Sequence, residues 1–85
     1  MKLDLVKIRW IDSACSNSWW TLESETEEIE KIKPIGITSV GYIIKESDVF
    51  ISLAQNYGEN PEQFCNVITI PKGCVIETVV LEKHF

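Results

Sequence analysis

The chain has 85 residues, 45% of them hydrophobic and 25% charged, and carries a formal net charge of −5. That length supports one hydrophobic core and not two, so a single domain over residues 1–85 is expected. No apolar run reaches the ~20 residues that span a bilayer, and the acidic balance disfavours nucleic acid, whose phosphates call for a cationic surface.

In chain order, the opening MKLDLVKIRW lacks the apolar stretch and small-residue cleavage site of a signal peptide, so the cytosol is the expected location. From Leu5 to Ile11, Val6, Ile8 and Trp10 alternate with Lys7 and Arg9. This period of two predicts a first strand with one buried face and with Lys7 and Arg9 on the wetter one. Asp12-Ser13 ends it, residues 14–18 read as a loop of small residues, and Trp19-Trp20-Thr21-Leu22 reads as a brief apolar run.

Ser24-Glu25-Thr26-Glu27 matches a helix capping box, with five glutamates between Glu23 and Glu30 near the positive end of the helix dipole. The residues support a short helix ending before Pro34, or a solvated acidic loop over the same stretch.

Ile35 to Gln55 predicts a hairpin, two β-type runs joined by the polar break Lys45-Glu46-Ser47-Asp48. Both faces of its first strand carry apolar residues, so that strand is expected to be central and partly covered on both sides. Gly36 and Gly41 mark candidate bends. Asn56 to Gln63, rich in Asn, Gly and Pro, reads as a loop. Asn66 to Ile70 follows as a short strand, Pro71 to Cys74 as a tight turn, and Val75 to Leu81 as the last strand. The expected core is Val6, Ile8, Trp10, Ile37, Val40, Ile43, Ile51, Leu53, Ile68, Ile70, Ile76 and Val79.

Five short strands with at most one short helix predict a mainly β protein, a small five-stranded SH3-like or Sm-like barrel. The segments Val6–Ser13, a tryptophan at Trp19 or Trp20, Ser39–Ile43, Ile51–Gln55 and Ile70–Ile76 carry a resemblance to short, functionally uncharacterised proteins encoded by bacteriophages and prophages. The resemblance spans most of the chain and includes no catalytic fingerprint. It implies a phage accessory protein acting in the cytoplasm of a bacterial host.

No GxxxxGK, GxGxxG, HExxH or GxSxG motif is present, and the single histidine, His84, has no residue placed to orient it toward a cysteine. No enzyme activity, cofactor or metal site is expected. Cys15, Cys65 and Cys74 are an odd set without a Cys-x-x-Cys pair and read as free thiols, with Cys65 and Cys74 buried.

The aromatics carry the functional expectation. Trp19, Trp20 and Tyr57 fall among small polar residues, including Asn17 and Asn56, a composition suited to recognition. The tryptophans form a contact surface or else cap the end of the barrel. One class of function is a counter-defence factor that sequesters a small nucleotide-like ligand, stacking it on Trp19 or Trp20 and meeting its phosphate with Arg9, Lys7 or Lys72. The other is a protein-interaction module that engages and inhibits a host protein. Apolar residues on both faces of Val75–Leu81 add the expectation of a homo-oligomer.

Overall fold

A computed structural model describes residues 3–14 and 32–83. Five antiparallel strands run through them: β1 (Leu5–Asp12), β2 (Ile35–Glu46), β3 (Phe50–Glu59), β4 (Glu62–Pro71) and β5 (Val75–Glu82), with a 3-10 turn over Lys72–Cys74 before the last. All five belong to one sheet in the order β4-β3-β2-β1-β5. The order is a four-strand meander whose fifth strand lies beside the first, and the chain is mainly β as expected. No ladder joins the two edge strands, β4 and β5, among the described residues. The run at Trp19–Leu22 and the acidic stretch 23–31 lie outside the described residues, while Ile32, Lys33 and Pro34 carry no regular structure.

The sheet changes partner at Tyr42. Residues Ile35 to Tyr42 of β2 pair with β1, from Asp12↔Ile35 to Leu5↔Tyr42, whereas Tyr42 to Glu46 pair with β3, with an irregularity between Ile43 and Lys45. A strand that leaves one neighbour for the other must bend, and a bulge supplies the local twist. Two joined half-sheets result, β5-β1-β2 and β2-β3-β4.

The buried cluster lies where these halves face each other: Val6, Ile8 and Trp10 from β1, Ile51 and Leu53 from β3, and Ile70 from β4. The alternation in β1 predicts its three members. Trp10 also needs a partner for its indole N–H, which it donates to the Ser39 hydroxyl at 3.0 Å. Across the turn from β2 to β3, the Ser47 Oγ accepts the backbone N–H groups of Val49 and Phe50, both at 3.2 Å. This is the local serine-to-backbone bonding that the polar break calls for. The Lys72 N–H donates to the Val49 carbonyl at 2.9 Å and ties the 3-10 turn to that same bend.

Several expectations are corrected. The stretch Asn56 to Gln63 is not a loop: β3 runs to Glu59, β4 starts at Glu62, and only Asn60-Pro61, joined by a cis peptide, makes the turn. Asn56 and Gly58 are accommodated because they pair across the ladder, Asn56↔Cys65 and Gly58↔Gln63. Val40, Ile76 and Val79 are exposed rather than core. Residues directly opposite in a ladder share a face, so Lys7↔Val40 and Lys7↔Val79 place both valines on the outer side with Lys7. Ile76 lies opposite no β1 residue, where the β5 register shifts. β2 is central, but its outer face is open at Val40. Cys65 is exposed, on the ladder opposite Asn56, and Cys74 is half-buried against the core.

Candidate functional site

Pairing between β2 and β3 ends at Tyr42↔Ala54, but β3 and β4 continue together through Asn56↔Cys65, Tyr57↔Phe64, Gly58↔Gln63 and Glu59↔Glu62. Among the described residues the hairpin therefore projects beyond the rest of the sheet as a two-stranded arm. Two-stranded ribbons need side-chain support, and aromatic rings provide it at the base. The Tyr57 ring lies 5.5 Å from Phe64 and 6.1 Å from Tyr42 between centroids, tilted in both cases. These separations fall in the range of favourable offset ring pairs.

The tip of the arm is acidic. Glu59 and Glu62 are direct cross-strand neighbours, and no Lys, Arg or His occurs between Glu46 and Pro71. Like charges placed opposite each other in a ladder are unfavourable. Tyr57 is affected by this field: its phenol is held above the usual 10.0, first by partial removal from water and then by the charges of Glu62 and Glu59. Because the folded value exceeds the unfolded one, this group contributes stability below pH ~10 and loses it as pH rises through the folded value. In a Tyr42→Phe background Tyr57 is the only ionising phenol. There, Glu59→Gln with Glu62→Gln is expected to move its ultraviolet titration midpoint down toward the ordinary value, leaving the part due to desolvation. An unmoved midpoint would show that the carboxylates do not act on the ring.

The structure places the remaining site residues at separate points. Lys7 and Arg9 lie on the outer face of β1, in register with Val40 and Thr38 of β2. Leu5, on that same face, pairs with Tyr42. Lys7, Arg9 and Tyr42 thus share one side of the sheet, and Tyr57 meets Tyr42 through its ring. Two carboxylates share that side too, since Glu77 lies opposite Arg9 and Glu82 opposite Leu5. Lys72 stands elsewhere, its Nζ 2.7 Å from Glu46 in a surface ion pair beside the turn from β2 to β3. Pro71, next to it, pairs with Phe50, and Phe50 is about 23 Å along β3 from Tyr57 at ~3.3 Å per residue. Asn56 is exposed at the arm base. Trp19, Trp20 and Asn17 lie outside the described residues.

Sequence reasoning misses Tyr42 and Phe64, which complete the aromatic group. The signal for Phe64 is its mirror position to Tyr57 about Asn60-Pro61; Tyr42 is reached only through the bend of β2. Among the described residues, no three His, Cys, Asp or Glu side chains are grouped to hold a metal, and no helix is long and apolar enough to cross a membrane. Comparison with known proteins finds no matching family model, no matching curated protein and no matching solved structure.

Proposed function

We propose that the chain is a non-catalytic binding protein whose β3–β4 arm engages a host bacterial protein through a cationic surface. The observation that carries this reading is a hairpin with aromatic rings at its base, with Glu59 and Glu62 at its tip, and with no lysine, arginine or histidine between Glu46 and Pro71. A hairpin that carries carboxylates at its tip and no lysine, arginine or histidine in its strands suits a partner surface of opposite charge. Aromatic and amide side chains around them, Tyr57, Phe64, Asn56 and Gln63, suit a protein contact.

The same features oppose a nucleotide-like ligand at this place, because its phosphate would meet the field that already perturbs Tyr57. Lys72, assigned to such a phosphate, is paired with Glu46 and stands far along β3. Lys7 and Arg9 face outward together, but Glu77 and Glu82 on the adjacent strand offset their charge. The sequence resemblance supports the setting: a phage counter-defence factor in the cytoplasm of its bacterial host.

The test is charge reversal at the tip. Glu59→Lys with Glu62→Lys is expected to preserve the melting temperature and to weaken association with the partner about tenfold or more. Protection of an infecting phage in a defence-bearing host should fall with it. Full protection by the reversed variant would remove the arm as the contact. A nucleotide-like ultraviolet absorbance that persisted through repurification of the wild-type protein would return the sequestering reading.

A further inference from the structure

We infer that the β3–β4 arm is jointed to the rest of the sheet at Gln55 and Asn66, and that the ring contact between Tyr42 and Tyr57 holds it in one orientation. This adds a control of orientation to the arm and rests on the reading above for its use, but it is a property of the free protein. The β3–β4 ladder keeps one register from Phe50↔Pro71 to Glu59↔Glu62 and omits a single pair, Gln55 with Asn66, between Ala54↔Val67 and Asn56↔Cys65. No residue is inserted there, so the gap is not a bulge. Its cause is Asn66, whose φ of 58° is left-handed. A residue in that region does not continue extended pairing, and asparagine is among the few side chains that enter it readily.

The body of the sheet ends at the same level. Tyr42↔Ala54 is the last pair between β2 and β3, Ala54 is the last buried residue of β3, and Gln55 and Asn66 are both exposed. Among the described residues, two unpaired residues and no third strand therefore join the arm to the body. Hinges are commonly a few such residues that absorb changes in φ and ψ. Beyond the gap the arm packs on itself. Tyr57 and Phe64 are ring neighbours at 5.5 Å, and the Gln63 side chain lies over Gly58, its Cγ 3.0 Å from where a Cβ would stand. Such a unit turns as a whole.

One ring contact crosses the joint. Tyr42 belongs to β2 and Tyr57 to the arm, with centroids 6.1 Å apart and planes tilted by 58°. Alternation alone would set Tyr57 on the face of Leu53, whereas Tyr42, directly opposite Ala54, belongs to the other. The rings meet because the ribbon turns about its own axis across the gap. The orientation of the arm is thus tied to an aromatic contact, and a partner drawing on Glu59 and Glu62 would act on a lever pivoted at Gln55 and Asn66.

NMR of the free, full chain tests this, with order parameters taken from residual dipolar couplings so that motion slower than tumbling counts. In Tyr42→Ala, those of residues 56–65 should fall together from about 0.85 to below about 0.6, while residues 50–54 and 67–71 keep their wild-type values. Nuclear Overhauser contacts between Tyr57 and Phe64 should persist. Asn66→Gly, which widens the freedom of the joint at positive φ, should lower arm order with Tyr42 in place, and it decides should Tyr42→Ala fail to fold. An arm that stays ordered in either folded variant, that loses the Tyr57–Phe64 contacts, or that loosens together with residues 50–54 would overturn the inference. A rigid arm whose charge reversal still abolished protection would remove the joint and leave the contact standing. A loose arm indifferent to charge reversal would do the opposite.

Discussion

Gly41→Ala is expected to destabilise the fold by about 1–3 kcal/mol, the usual cost of forcing atoms into a packed interior. For a domain of this size that lowers the melting temperature by roughly 4–20 °C. Gly41 sits opposite Val6 on the core face of β2, one residue before Tyr42, where the strand leaves β1 for β3. A Cβ built there would stand 2.7 Å from the Ala54 carbonyl oxygen, 3.2 Å from its carbon and 3.2 Å from the Leu53 Cβ. The nearest obstacle is backbone held in the β3 ladder, so no flexible side chain can swing aside. Relief would require opening the bend that brings the two half-sheets together. Replacing glycine also reduces the entropy of the unfolded chain, which offsets roughly 0.4–1 kcal/mol. Gly36→Ala is the control, because nothing lies within 4 Å of its Cβ position. Thermal melts followed by circular dichroism read both variants, and a Gly41→Ala melt matching wild type would show that β2 does not approach β3 so closely.

The bend itself is legible in the sequence only as a glycine within an apolar run. What is legible in full is local. Val6, Ile8 and Trp10 declare their face through alternation with Lys7 and Arg9, and Ser47 marks its turn through side-chain bonding to nearby backbone. Pro71-Lys72-Gly73-Cys74 likewise announces a break before β5. The arm is hidden for the opposite reason. Asn56, Gly58, Asn60 and Pro61 are all turn formers, yet only Asn60 and Pro61 turn, because the Tyr57↔Phe64 pair and its neighbours extend the ladder past them. Whether a residue of this kind turns or pairs is settled by what lies across from it, and composition does not record that.

The candidate site divides along the same line. Tyr57 and Asn56 are identified from composition although their loop is a strand, and Lys7 and Arg9 from alternation on one strand. Connecting them needs Tyr42, which reaches Leu5 through the β1–β2 register and Tyr57 through ring contact. Register is a long-range property, set by the bend and the hairpins together. The separation of Lys72 from Tyr57 is equally invisible until β3 is known to run unbroken between the levels of the two.

Leu53→Ala is expected to cost about 2–5 kcal/mol, the range for truncating a buried leucine and leaving a cavity. A chain this size holds only roughly 4–13 kcal/mol in all, so the variant should unfold at a markedly lower urea concentration with the slope of the transition unchanged. Leu53 is fully buried, paired with Ile43 on one side and Ile68 on the other. Neither neighbour can collapse into the void without breaking a ladder. Val40→Ala makes the comparison informative. Both residues are apolar, both lie on strands central to the sheet, and the sequence assigns both to the core. Val40, however, is 46% exposed on the outer face. Its truncation removes two methyl groups already about half in water and should cost less than about 1 kcal/mol. If the two variants lost equal stability, the outer face at Val40 would be covered in solution, and the contrast between Leu53 and Val40 would fail.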